Sequence, residues 1–431
     1  VTSLRQARRR TGATAVAPRV GLFGLLGQGN LGNDGSLEAV LGYLRAAHPD
    51  VILDALCSGP ELVTARYGIP AGRLRWYQSE RPRTSGTTAL ALKCLGLGLG
   101  IGIDAIRTAS WVRRHDVVIV PGMGVLEATV PMRPWQTPYS MFLLCASGRL
   151  FGTKVALVSV GTNVIHQRLT RWLITAAARL AYYRSYRDAI SRDAMQRMGL
   201  DTSGDVIYPD VVFALPAPRG ERGAAGAVGV GVMDYSGANE DRPQADEIRS
   251  GYIEKMTRFV LWLIEINRPV RLFTSDTADE PIVRQILASV RAQHPKLSPS
   301  QVIAEPVSSL DELMRQTASV DTVVATRYHN VLYALKLAKP TLSLGYAAKH
   351  DVLMADMGLP EFSQSVKSLD VARLIEQFTE LESQSTQLRL MITQRNAEKA
   401  RLVGDQFAEL SAALFPASEP RPGASPLAWV P

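Results

Sequence analysis

"VVATRYHNVLYALKLAKPTLSLGYAAKHD", Val323–Asp351, sets an arginine, a histidine and a lysine at the edges of two short apolar runs. Thr322–Ala325 and Thr341–Leu344 are β-branched or aliphatic and are bounded by Asp321 and by Pro340, which marks them as strands. Between them Asn330–Ala338 reads as a helix with an apolar face. Arg327 and His329 therefore follow the carboxyl end of one strand, and Lys349 follows the end of the next. In open α/β sheets ligands sit outside the carboxyl ends of the strands, so these three are candidate ligand contacts.

Outward from this stretch the alternation continues. Val20–Leu26, Val51–Leu56, Asp116–Val120 and Lys154–Val158 read as strands, and Asp34–Ala47, Arg168–Ala181 and Asp193–Met198 as helices. Apolar runs of this kind suit strands buried on both faces of a mostly parallel sheet. Residues 216–227, "PAPRGERGAAGA", shift to Pro, Gly and Arg and read as a linker. A second cycle follows: strands Val228–Val232 and Pro269–Thr274, helices within Ala245–Ile266, Asp279–Ala292 and Leu310–Thr317, then the opening stretch. A long helix is expected over roughly 372–407.

The expectation is an α/β protein with two doubly wound, Rossmann-like domains facing across a cleft and a long C-terminal helix. The expected boundaries are a disordered basic arm at 1–18, an N-terminal domain at 19–215, the linker at 216–227, a C-terminal domain at 228–366, a helical segment at 367–415 and a loose tail at 416–431.

The chain of 431 residues is 46% hydrophobic and 20% charged, a globular composition long enough for two domains. Its net charge of +8 favours anionic partners without choosing among them. Aromatics are 7% and are not interleaved with basic residues, which argues against nucleic acid. Three cysteines without a C-x-x-C fit reduced thiols and a cytoplasmic location. No metal-ligand cluster of recognised spacing appears, so neither a metal nor a cofactor is expected. The apolar run Ala89–Ile106 is interrupted by Lys93 and Asp104 and flanked by arginines. It reads either as a buried connecting helix or as a peripheral contact with anionic membrane, which would be the inner face of the plasma membrane.

Five stretches carry candidate chemistry. In Gly24–Leu41 a strand runs through Gly27, Gly29, Asn30 and Gly32 into a helix that Asn33 or Asp34 can cap, leaving backbone N–H groups for an anion or a sugar hydroxyl. Pro121–Glu127, "PGMGVLE", puts Gly122 and Gly124 after a buried strand, where a ligand or another backbone can approach. Arg187 and Asp188 adjoin, with Ser191 following; they form either a structural ion pair or, with the arginine in a cleft, a bidentate partner for a carboxylate or phosphate. Asp210 precedes the linker and either orients a neighbour or caps a turn. The fifth is the opening stretch.

In this order the stretches resemble the polysaccharide pyruvyl transferase family over about Arg19–Leu359. Gly27–Asn33 resembles the family's Gly-x-x-Asn-x-Gly loop, and "PGMGVLE" sits at its glycine-rich strand end. Arg187-Asp188-x-x-Ser191 resembles its Arg-Asp-x-x-Ser motif, with Gly199 following. Asp210–Leu215 is similar to its Asp-Pro-x-Phe stretch with Val211 in place of proline. Arg327-Tyr328-His329 resembles Arg-x-His, and Tyr346–Lys349 resembles Tyr-x-x-Lys. Two departures stand out: Gly32-Asn33-Asp34-Gly35 where the family has Gly-Asp-Glu, and Pro121 and Met123 interrupting a triple glycine.

The resemblance implies transfer of pyruvate from phosphoenolpyruvate (PEP) to two hydroxyls of a glycan or lipid-linked oligosaccharide, giving a cyclic ketal and phosphate. On that chemistry Arg187, Arg327 and Lys349 are expected to hold the donor's two anionic ends, and His329 to protonate its methylene carbon. Asp188 would orient Arg187, and Asp210 would be a further supporting residue. Asn30, Gly29, Gly122 and Gly124 would face the acceptor. Two alternatives share the architecture: a sugar-nucleotide glycosyltransferase, and a non-catalytic membrane-associated binding protein in polymer assembly.

Overall fold

The computed structural model of the chain describes residues 17–76, 87–127, 134–218, 223–237 and 239–415. Most of the expected arm, all of the tail 416–431 and residues 219–222 of the linker lie outside them. Two parallel sheets organise the chain. The first has seven strands: β1 (Arg19–Gly24), β2 (Ile52–Cys57), β3 (Ala71–Arg73), β4 (Val117–Pro121), β5 (Lys154–Val160), β6 (Tyr183–Tyr186) and β7 (Val206–Ile207), in the order 3-2-1-4-5-6-7. The second has six: β8 (Val228–Gly231), β9 (Val270–Phe273), β10 (Val302–Ile303), β11 (Thr322–Ala325), β12 (Thr341–Gly345) and β13 (Ser363–Ser365), in the order 10-9-8-11-12-13. Each sheet reverses direction beside its first strand, the crevice where doubly wound sheets bind ligands. The central strands are closed to solvent, as their unbroken apolar runs require.

Helices α1 (Leu31–Ala47) and α2 (Pro60–Tyr67) connect β1, β2 and β3. Helices α3 (Thr87–Val112), α4 (Thr137–Phe151), α5 (Arg168–Leu180) and α6 (Ala189–Arg197) make the crossovers that run the other way along the sheet. Right-handed connections put these two groups on opposite faces. The second sheet carries α7 (Ala245–Glu265), α8 (Glu280–Gln293), α9 (Leu310–Ala318), α10 (Tyr328–Lys336) and α11 (Ala348–Asp356).

The C-terminal helix is two helices, α12 (Val371–Ser383) and α13 (Ser385–Leu414), broken at Gln384. α13 ties the halves together. Asn396 donates to the Leu335 carbonyl (2.8 Å) at the end of α10. Further along, Gln406 bonds Ser159 (3.1 Å) and Ser185 (2.8 Å) of the first sheet, and Phe407 stacks on Tyr43 with ring centroids 4.4 Å apart.

Several local expectations shift. α1 starts three residues earlier than expected because its cap is Asn30, whose Oδ1 accepts from the N–H groups of Gly32 (3.2 Å) and Asn33 (3.3 Å). α10 likewise starts at Tyr328, with His329 in its first turn. The Ala89–Ile106 run lies inside α3 and is not wholly buried, since Leu99 and Ile106 are exposed. Among the described residues no helix is long and apolar enough to cross a membrane.

Candidate active site

The loops at the carboxyl ends of the two sheets meet face to face. The loop after β1 pairs with the loop after β9: the Leu31 N–H donates to the Ser275 carbonyl (2.9 Å), the Thr277 N–H to the Gly29 carbonyl (3.1 Å), and Asn30 Nδ2 to Asp276 (3.2 Å). Beside it, α10 lies across the start of α1. The Tyr333 hydroxyl donates to the Leu31 carbonyl (3.0 Å). This approach needs two glycines: a Cβ on Gly32 would lie 2.0 Å from His329 Nδ1, and one on Gly35 2.0 Å from the Tyr333 hydroxyl oxygen. The departure at Gly35 is thus the space for Tyr333.

One carboxylate joins the halves chemically. Glu127, just past β4, pairs with Arg187 at the end of β6 and accepts from Lys349 of α11 at 3.0 Å. The Arg187 guanidinium also lies 4.9 Å from the centre of the Tyr328 ring, and Lys349 Nζ lies 5.4 Å from the same ring and from that of Tyr346. A Cβ at Gly161 would fall 2.5 Å from Arg187 Nη2 and 2.6 Å from Glu127 Oε1, so this corner also depends on a glycine. Burial pushes the Glu127 carboxyl up, but Arg187 and Lys349 outweigh it and hold it at about 2. Burial likewise opposes the Arg187 charge, and Glu127 more than restores it.

His329 stands in the field of these cations. Its Nε2 is buried and has no hydrogen-bond partner among the described residues. Burial first, then the charges of Arg187 and Lys349, pull the imidazole down to about 3, with Glu127 working the other way. Burial and these charges thus hold the His329 imidazole in its neutral form.

The Arg-Asp-x-x-Ser segment is built by capping. Asp188 Oδ1 accepts from the Ser191 N–H (2.7 Å) and so starts α6, while its Oδ2 lies 3.6 Å from Arg187 Nε. Asp210 does both jobs the sequence allows it. Its Oδ1 caps the turn Val211–Ala214 at the Val212 N–H (3.2 Å), and its Oδ2 lies 4.0 Å from Arg187 Nη1. Burial raises the Asp210 carboxyl to about 6 against the pull of Arg187.

Not every expected residue joins this centre. Arg327 turns toward the loop after β9, where Asp279 takes it bidentately (2.5 and 2.9 Å) and Asp276 lies at 3.7 Å. Asn30 and Gly29 belong to the seam between the halves: Asn30 is occupied as cap and as donor to Asp276, and a Cβ on Gly29 would meet Thr277 Oγ1 at 2.1 Å. The amides expected to face an anion at the start of α1 are already taken, by Asn30 and by the Ser275 carbonyl. Gly122 serves packing, with Val211 3.1 Å from its would-be Cβ and its carbonyl accepting from Ser36 (2.5 Å). Gly124 forms the turn over which Glu127 folds back, with a 3.1 Å bond from the Glu127 N–H to its carbonyl.

Glu127 and Tyr328 are the residues that sequence reasoning missed. Glu127 closes the very stretch singled out for its glycines, and Tyr328 is the unassigned middle of Arg327-Tyr328-His329. A carboxylate three residues beyond a strand-end glycine, in a chain that brings several cations to the cleft, was the available signal.

The fold has solved relatives. UDP-GlcNAc 2-epimerase from Methanocaldococcus jannaschii aligns with a TM-score of 0.55 at 10% identity, covering 84% of this chain and 91% of that one. The Neisseria meningitidis UDP-GlcNAc 2-epimerase bound to UDP-GlcNAc gives 0.54 at 12%, covering 92% and 99%. Anabaena HepE in complex with UDP-glucose gives 0.56 at 10%, covering 92% and 100%. At such identities the likeness is one of fold, the two-domain architecture shared with these sugar-nucleotide proteins. No curated protein sequence matches the chain. The profile described as Polysaccharide pyruvyl transferase matches residues 30–347, more than half of the chain, with Glu127, Arg187 and His329 inside the match and Lys349 just beyond its end, and the chain therefore belongs to the polysaccharide pyruvyl transferase family of enzymes.

Proposed function

We propose that the cleft transfers the pyruvyl group of PEP to two hydroxyls of a sugar in a polysaccharide or glycolipid precursor, forming a cyclic ketal and releasing phosphate. The observation that carries this reading is the closure of Arg187 and Lys349, from opposite halves, on one carboxylate. Glu127 there stands where an anionic group of the donor would bind. Its low pKa makes it a poor proton acceptor and suits it to the part of internal placeholder.

In the proposed reaction the donor's anionic ends replace Glu127 between the two cations. PEP brings about three negative charges, one from its carboxylate and nearly two from its phosphate, in exchange for one. That charge raises the His329 pKa, and the imidazolium gives its proton to the methylene carbon. The enol carbon, now oxocarbenium-like, takes the first sugar hydroxyl. The second hydroxyl displaces phosphate at the same carbon. Of the two hydroxyl protons, one leaves with phosphate and one restores His329. Arg327 meets the second anionic end if it exchanges Asp279 for the donor. The acceptor assignments of Asn30 and Gly29 require the seam between the loops after β1 and β9 to part.

Calorimetric titration of PEP into the wild type and into Lys349→Ala tests the reading. Binding by the wild type that the variant loses is the expected result. A well-folded wild type that binds nucleotide sugars and not PEP would overturn it.

A further inference from the structure

Helices α3, α4 and α5 form one layer over the first sheet. The Tyr139 hydroxyl donates to the Ile101 carbonyl (3.1 Å), joining α4 to α3, and the rings of Phe142 and Trp172, 5.3 Å apart, join α4 to α5. The outer side of the layer is apolar and basic together. Leu99, Leu169 and Trp172 are 59%, 55% and 54% exposed, and on α5 the last two alternate with the exposed Arg168 and Arg171. The three helices hold one acidic residue, Asp104. It is buried, accepts from the Trp76 N–H at 2.7 Å and lies 3.6 Å from Arg107.

A surface helix ordinarily turns both signs of charge to water. Single exposed apolar side chains need no explanation, but several beside arginines with no exposed acid among them make a surface with a partner. A second copy of the same face is a poor one, because a two-fold contact would set Arg168 and Arg171 near their own copies. An anionic bilayer meets both properties: its phosphates pair with arginine, and its headgroup region takes Trp and Leu.

We propose that this face docks the protein peripherally on an anionic lipid bilayer, with Leu169 and Trp172 entering the headgroup region and Arg168 and Arg171 meeting lipid phosphate. The first turns of α4 and α5 lie at the carboxyl edge of the sheet, the edge that carries Glu127 and Arg187. Docking there sets the cleft beside the bilayer. The proposal stands on surface chemistry and not on the identity of the donor.

The test is cosedimentation of the full chain with phosphatidylcholine vesicles, with and without an equal part of phosphatidylglycerol, at low salt. Each arginine near an anionic surface multiplies partitioning about fivefold. The wild type is expected to pellet with the anionic vesicles and little with phosphatidylcholine alone. The double variant Leu169→Glu/Trp172→Glu, which also gives up the Trp172–Phe142 ring contact, is expected to remain folded by circular dichroism with a somewhat lower Tm and to lose at least about tenfold in partitioning. Equal binding to both vesicle types overturns the proposal. So does undiminished binding of the double variant, which assigns lipid affinity elsewhere, for instance to the arginines of the first ten residues. Self-association of the wild type that the double variant abolishes also overturns it, in favour of a second copy.

Discussion

Replacing Glu127 by glutamine separates a placeholder from a working group. The substitution keeps shape and one acceptor but removes the charge that holds Arg187 and Lys349 together. The Arg187 side chain is 3% exposed, so it cannot turn to water for compensation. Breaking a buried pair typically costs about 3–5 kcal/mol, because it leaves a charge without its partner. Here Asp188 at 3.6 Å and Asp210 at 4.0 Å remain to share the guanidinium. The expected loss of stability is therefore smaller, about 2 kcal/mol by urea unfolding. Donor binding should move the other way. PEP no longer has to expel a carboxylate, so its Kd should fall at least about tenfold, or about 1.4 kcal/mol, by calorimetry. The two opposite signs in one variant are the signature of a stand-in. If Glu127→Gln binds PEP more weakly than the wild type, Glu127 supports the bound donor and the exchange account is wrong.

Other outcomes follow from the same geometry. His329→Gln should fold normally, bind PEP within a few-fold of wild type and lose roughly 10²–10⁴-fold in turnover; near-full turnover would remove His329 from the chemistry. Gly32→Ala should cost about 1–3 kcal/mol of stability and depress turnover, because its Cβ would stand 2.0 Å from His329 Nδ1 and push the ring aside; unchanged turnover would show that the ring position is not needed. Stability should fall with acidification below about pH 6.5, since the unfolded chain protonates its histidines there. Burial, reinforced by nearby cations, keeps His329 neutral to about 3 and His350 to about 4 in the folded chain. Asp210, raised to about 6 by burial, works the other way, so Asp210→Asn should steepen the loss, measured as urea midpoints between pH 7 and 5. Pyruvate, with one carboxylate to exchange for Glu127, should give no calorimetric signal at concentrations where PEP saturates; equal affinity would refute the need for two anionic ends.

The sheet framework was legible because its strands are unbroken apolar runs; "DVVIV" and "TVVA" admit little else. What escaped were β6, whose "YRSY" is no apolar run, and the short edge strands. β3, β7, β10 and β13 have two or three residues each and no period to read. Arg187 was found from its adjoining Asp188 and the resemblance of Arg187-Asp188-x-x-Ser191 to a family motif, and His329 and Lys349 from their place after strands. Arg327 was found by the same rule, yet its guanidinium is taken by Asp279, which lies 48 residues away and announces itself by no motif. Asn30 was singled out as a polar residue in a glycine loop, but its partner Asp276 comes from the other half of the chain. Local sequence shows which backbone positions face a cleft. It does not show which distant carboxylates meet them, whether from the same half, as Asp279 does, or from the other, as Glu127 meets Lys349.

These counter-charges explain how the cleft can close at all. Arg187, Arg327 and Lys349 brought together without counter-charge would repel each other in a poorly hydrated space and hold the halves apart. Glu127 and Asp279 neutralise them, and the seam at Gly29–Leu31 can then form its backbone bonds. In the proposed reaction the cations are thus already desolvated and aimed before the donor arrives, so the donor does not have to order them. It has only to outbid carboxylates that are fixed to the chain. A ligand with a single anionic end exchanges one carboxylate for another and gains little, whereas one with two ends gains charge on His329 as well. On this account discrimination for PEP and activation of the general acid are the same event, and α13, gripping both halves, keeps the two sides of that exchange in register.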